Sequence, residues 1–98
     1  MYIKIHKSYR TVVAVCDAEI IGKKFEEGQF QLDLRENFYK GELYTLEQAI
    51  EHMQKQMRED ATFNIAGKKA IEAALKAGII MEGGIGYVSG IPYALKLL

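Results

Sequence analysis

The chain has 98 residues, enough for one domain and too few for two independent cores, and its thirteen basic and thirteen acidic residues leave no overall field drawing it onto nucleic acid. With 49% hydrophobic and 27% charged residues it has the make-up of a soluble globular protein, not of a disordered or fibrous one. A single cysteine and two histidines exclude an internal disulfide and a Cys/His zinc site, and neither a bilayer-spanning apolar run nor a secretory leader is visible, so the expectation is a cytoplasmic protein without metal or cofactor.

In chain order, YIKIH alternates, with Ile3 and Ile5 on one side and Lys4 and His6 on the other, which predicts a half-buried strand. After the polar turn KSYR, the β-branched run TVVAVC predicts a central strand hairpinned to the first. In DAEIIGKKFEEG, Asp17 is an N-cap type and Gly22 a helix stop, giving one or two helical turns before a turn at Gly28. QFQLDL predicts a third strand with Phe30, Leu32 and Leu34 on one face, and RENFYKGELYT reads as a loop.

Thr45 and Gln48 form a capping box ahead of Leu46, Ala49, Ile50, Met53 and Met57, whose three- and four-residue steps predict an amphipathic helix. A second helix is expected from Thr62 to Ala77, carrying an alanine stripe and ending at Gly78. The tail turns at Ser89-Gly90 and closes with a strand in which Tyr93, Leu95 and Leu97 alternate with Ala94, Lys96 and Leu98. The whole predicts one α+β domain over residues 1–98, a mostly antiparallel sheet of about five strands packed on a pair of helices in the order β-β-β-α-α-β-β.

Candidate chemistry is sparse. Gly84, Gly86 and Gly90 resemble a phosphate loop, yet no Lys-Ser or Lys-Thr follows and the tail has no room for the helix whose N-terminus would hold the phosphate, so they are expected to turn the backbone. His6, Cys16 and Asp17 are the residue types of a cysteine nucleophile with its base and orienting group, but Cys16 ends an apolar strand, where cysteine is usually a small buried hydrophobe. His52 has no second metal ligand at helical spacing. The junction DATFNIAGKK offers Asp60, Thr62 and Asn64 at an expected helix start, where free amides would receive an anion beside Lys68 and Lys69. Tyr39, Tyr44, Tyr87 and Tyr93 are candidates for stacking on exposed bases.

Cys16-Asp17 ahead of Gly22-Lys23, Phe38-Tyr39 with Gly41-Glu42, Ala61-Thr62 and Asn64 with Gly67, and Gly90 with Pro92 together resemble a small archaeal family, domain of unknown function 424. The family's pattern ends in a tail where a histidine and a glutamine stand at the positions of Tyr93 and Leu95, so the resemblance argues against histidine chemistry in this chain's tail. It implies an archaeal, cytoplasmic, compact α+β protein and brings no activity with it; an accessory role in translation or RNA handling is the expectation for a protein of that type.

Two readings follow. One is a non-catalytic binding module for RNA or a ribonucleoprotein, using Lys4, Lys7 and Arg10 of the first hairpin, where no acid precedes Asp17, together with Thr62, Asn64, Lys68 and Lys69. The other is a small-molecule-binding protein or enzyme built on Cys16, Asp17, Glu42 and Asn64, which requires these side chains to converge on one pocket. The final strand's edge also leaves room for a second copy to extend the sheet.

Overall fold

The computed structural model describes residues 1–97; Leu98, the last position of the expected alternation, lies outside the described residues. The opening hairpin forms as its alternation dictates, with β1 (Tyr2–His6) antiparallel to β2 (Val12–Cys16) and Tyr2 opposite Cys16. Beyond Asp17, the chain makes a single 3-10 turn at Ala18–Ile20 and then β3 (Lys24–Glu27), where the sequence suggested only helical turns. β3 pairs with β4 (Phe30–Asp33) in a separate two-stranded sheet, so the QFQLDL strand does not join the main sheet. The segment read as a loop holds a four-residue helix, α1 (Glu36–Tyr39), and a two-residue strand, β5 (Glu42–Leu43), on the outer side of β1.

Helix α2 (Leu46–Arg58) starts at the expected capping box: the Gln48 amide donates to Thr45 Oγ1 at 3.2 Å, and the Thr45 amide donates to Gln48 Oε1 at 3.0 Å. The largest correction concerns the next stretch. Thr62–Ala66 is not helix but strand β6, and the second helix, α3, is confined to Lys68–Lys76. Phe63 and Ile65 face the helices while Thr62, Asn64 and Ala66 face away, a two-residue period. The cap types Asp60, Thr62 and Asn64 therefore open a strand, and the turn into the helix falls at Gly67, whose φ of +108° a side-chain-bearing residue rarely adopts.

β6 runs parallel to β2, Val12 beside Thr62 and Cys16 beside Ala66, and this pair forms the centre of a six-stranded sheet in the order β5-β1-β2-β6-β8-β7. The remaining pairings are antiparallel. The tail folds as expected: β7 (Gly86–Val88) and β8 (Ile91–Lys96) flank Ser89 and Gly90, which have φ of +50° and +79°, the positive pair that a two-residue type I′ turn demands. α2 and α3 pack on one sheet face over Ile3, Val13, Val15, Phe63, Ile65 and Ala94, and the alanines of α3 (Ala70, Ala73, Ala74) with Ala77 are buried there, letting α3 lie close to its neighbours. On the other face, α1 and the β3–β4 hairpin cover Ala14, Cys16 and Ala66 with Leu34, Tyr39, Phe25 and Leu32. No helix among the described residues is long and apolar enough to cross a membrane.

Candidate functional site

Parallel pairing places the ends of β2 and β6 side by side, and the two ends of this pair differ in chemistry. At the carboxyl ends, Asp17 follows β2 and Gly67 follows β6, and the Asp17 amide donates to Ala66 O at 3.1 Å. The Asp17 side chain is 6% exposed. Its Oδ2 accepts from the Lys69 amide at 3.0 Å and its Oδ1 from the Ala70 amide at 2.7 Å, so a carboxylate of the chain itself fills the N-terminus of α3. A side chain at Gly67 would overlap the Asp17 carboxyl, which is the second reason for glycine there. The anion pocket that the sequence suggested at this helix start is thus internally occupied, and it begins at Gly67, not at Asp60.

Of the two lysines that open α3, Lys68 is exposed and Lys69 is engaged. Lys69 Nζ meets Glu19 Oε1 at 2.9 Å; the bond from Lys69 holds the Glu19 carboxyl below its ordinary range, and the same contact pushes Lys69 up. Cys16 is fully buried, its thiol donating to Asp17 O at 3.4 Å; burial first, and the Asp17 charge second, push it up to about 12, the opposite of what a nucleophile needs. Burial, with the neighbouring Cys16 thiol, likewise pushes Tyr39 up to about 12.

His6 cannot act as base for this cysteine. It pairs with Val12, at the far end of the ladder from the Tyr2–Cys16 pair, about 13 Å along the strand. Its Nε2 lies 2.8 Å from Phe38 O, a carbonyl that only accepts, so this nitrogen carries the proton; the ring stacks on Phe38 at 4.7 Å. Lys4 donates to Asn37 O at 2.7 Å. Both side chains of the first strand therefore hold the short α1 in place. Nor do the four residues of the alternative site share a pocket: Glu42 is exposed on β5, two strands and roughly 10 Å from β2, whereas Asn64 lies on the opposite face from the helices, between Ala14 and Leu95.

The amino end of the parallel pair is open. The Thr62 amide and hydroxyl both donate to Thr11 O, at 3.0 and 3.4 Å, tying the start of β6 to the β1–β2 turn. From that turn Lys7 and Arg10 project exposed, with no acidic partner within 4 Å among the described residues, and between them Tyr9 is 96% exposed. Thr62 and Asn64 continue the surface onto the uncovered strip of sheet, where Leu95 stands beside Asn64. The seven residues expected to make one binding surface are thus divided. Lys7, Arg10 and Thr62 fall at one end of β6, Asn64 stands at its middle, Lys4 is turned to α1, and Lys68 and Lys69 lie past its other end.

Of the four candidate stacking tyrosines, Tyr39 is buried, Tyr44 stacks on His52 at 5.1 Å, Tyr93 lies against Gly86, and Tyr87 alone is well exposed. The sequence reading passed over Tyr9, although a lone aromatic between two cations in a polar turn is a signal in its own right.

Residues 5–97 match the family model described as a protein of unknown function, DUF424. The chain belongs to the DUF424 family. No curated protein matches it. A solved structure described as an uncharacterized conserved protein from Methanopyrus kandleri superposes with a TM-score of 0.87 at 24% identity, over 96% of this chain and 87% of that one, which shows a shared fold. Within this DUF424 chain, the segments that carry the family resemblance now separate by role. Cys16-Asp17 and Gly67 build the closed end, while Thr62 and Asn64 face the open strip.

Proposed function

We propose that this protein is a non-catalytic binding module whose working surface is the tip of the β1–β2 hairpin with the adjoining strip of β6, and that its ligand is single-stranded RNA. The observation that carries this reading is Tyr9, 96% exposed between Lys7 and Arg10. A wholly exposed aromatic ring has its faces free for a base to stack on, and flanking cations suit the phosphates on either side of a stacked base. Thr62 at the same end, and Asn64 at the middle of β6, offer hydroxyl and amide groups to a base edge or a ribose 2′-hydroxyl. The buried Cys16 thiol and the engaged Asp17 carboxylate argue against the enzyme alternative.

The test is equilibrium binding to a fluorescent single-stranded oligoribonucleotide across a salt series. Log affinity should fall linearly with log salt at a slope of about −0.7 for each phosphate contacted. Tyr9→Ala should cost about 1–3 kcal/mol of binding with the slope unchanged, since stacking releases no counterions. Lys7→Ala and Arg10→Ala should each shallow the slope by roughly one contact. Binding that ignores salt, or that survives all three substitutions, contradicts the proposal.

A further inference from the structure

The outer side of β8 is only partly closed. β7 pairs with Ile91–Tyr93 and stops, Gly86 opposite Tyr93. On the inner side the Gly67 amide donates to Pro92 O, which fixes the phase of the ladder: Pro92, Ala94 and Lys96 turn their backbone groups to β6, whereas Tyr93, Leu95 and Leu97 turn theirs outward. Those of Tyr93 meet β7, but those of Leu95 and Leu97 meet no strand among the described residues. Beside this free edge runs a slot of about 500 Å³ lined by Ile79, Ile80, Met81, Gly84, Leu95 and Lys96. Its apolar rim is open to water, with Met81 78% and Leu95 56% exposed, and Leu97 next along the edge is 68% exposed.

The floor of the slot carries a second sign. Gly83 and Gly84 have no positive φ, and a side chain at either would meet nothing within 4 Å, so the fold of the chain itself does not require glycine there. Bare backbone next to an unpaired edge is the arrangement in which another backbone can approach closely.

We propose that this slot is a docking site for an extended segment of another protein, added as a strand along Leu95–Leu97, with an acidic residue between two apolar ones. The charge pattern selects the occupant. β7 blocks the edge before Leu95, so the edge open to an added strand among the described residues is Leu95–Leu97. A second copy of this chain in that antiparallel register would set Leu95 and Leu97 against each other favourably but would place Lys96 directly opposite Lys96 of the copy, a like-charge cross-strand pair. An apolar–acidic–apolar segment keeps both leucine contacts and replaces the repulsion with an opposite-charge pair.

The experiment is an NMR titration of the full chain with two blocked peptides, threonine-valine-glutamate-valine-threonine and its counterpart with lysine in place of glutamate. The glutamate peptide should shift the Leu95 and Leu97 amides and slow their hydrogen exchange, and the lysine peptide should bind about fivefold more weakly. Lys96→Glu should invert that preference. Gly84→Val, which adds bulk to the slot's lining at a position where a Cβ meets nothing within 4 Å, should leave the remaining spectrum in place and abolish binding of both peptides. Equal binding of the two peptides, no inversion by Lys96→Glu, or a native dimer in sedimentation whose Leu95 amide is already protected without peptide would each overturn the proposal.

Discussion

The two ends of the central parallel pair are made from adjacent stretches of the same strands, yet one is closed and the other open. At the carboxyl ends of β2 and β6, the groups that would make an anion site are paired inside the chain: Asp17 with the Lys69 and Ala70 amides, Lys69 with Glu19, the Cys16 thiol with a carbonyl. At the amino ends, Lys7, Tyr9 and Arg10 project into water from a turn held down by Thr62 and Thr11. In open α/β sheets, ligands usually settle at the carboxyl ends of parallel strands, beside a helix N-terminus. Here an internal carboxylate has taken that place, and the exposed Lys7, Tyr9 and Arg10 stand at the opposite end. The lesson is that an anion-binding geometry is not a binding site once the chain supplies the anion.

If this contrast is right, damage to the closed end should appear as instability and damage to the open end as lost binding. The largest effect is expected from Asp17→Ala. It strips the partners from two amides, one of them buried, at a helix start, and should lower the unfolding free energy by about 3 kcal/mol in urea denaturation. A loss below about 0.5 kcal/mol would show that the Asp17 cap does not hold the fold.

Gly67→Ala comes next, with an expected loss of about 2 kcal/mol from the left-handed backbone and the overlap with the Asp17 carboxyl. Because the two closest overlaps, with the carboxyl carbon and oxygen, go when Asp17 is truncated and only that with its Cβ remains, the double mutant Asp17→Ala with Gly67→Ala should be less unstable than the two losses added, and strict additivity would contradict the contact.

A smaller, graded effect should come from alkali. Cys16 is held up from 9.0 to about 12 in the fold and Tyr39 from 10.0 to about 12. Between those values the unfolded chain releases protons that the folded chain retains, so stability falls as pH rises, by at most about 1.4 kcal/mol per pH unit for each group. The decline should begin near pH 9 in the native chain and nearer pH 10 in Cys16→Ala, where the thiol no longer contributes and the raised tyrosines set the onset. An onset that does not move in the variant would mean that Cys16 is ionised in the fold.

How much of this was legible in the sequence depends on whether the controlling contacts were local. The opening hairpin, the Thr45–Gln48 cap and the Ser89-Gly90 turn all follow from neighbours within a few residues, and they stand as expected. Strand β6 was misread because the alanine stripe of α3 continues back through Ala66, masking the alternation of Phe63 and Ile65. Asp17 is a cap type, and it does cap a helix, but the distant one that begins at Lys68 and not the turn that follows it. Nothing local points to that partner; parallel pairing of β2 with β6 brings the two together. The same register separates Lys68 and Lys69 from Lys7 and Arg10, residues that composition alone allows to be pooled into one basic surface.

The contrast between the two ends is tested most directly by following every backbone amide while single-stranded RNA is titrated into the labelled protein. The account predicts shifts concentrated at Lys7–Thr11, Thr62 and Asn64, weakening with added salt, while Lys68, Lys69 and Ala70 stay in place. Shifts centred on Lys68–Ala70, or no shifts anywhere at low salt, would contradict it.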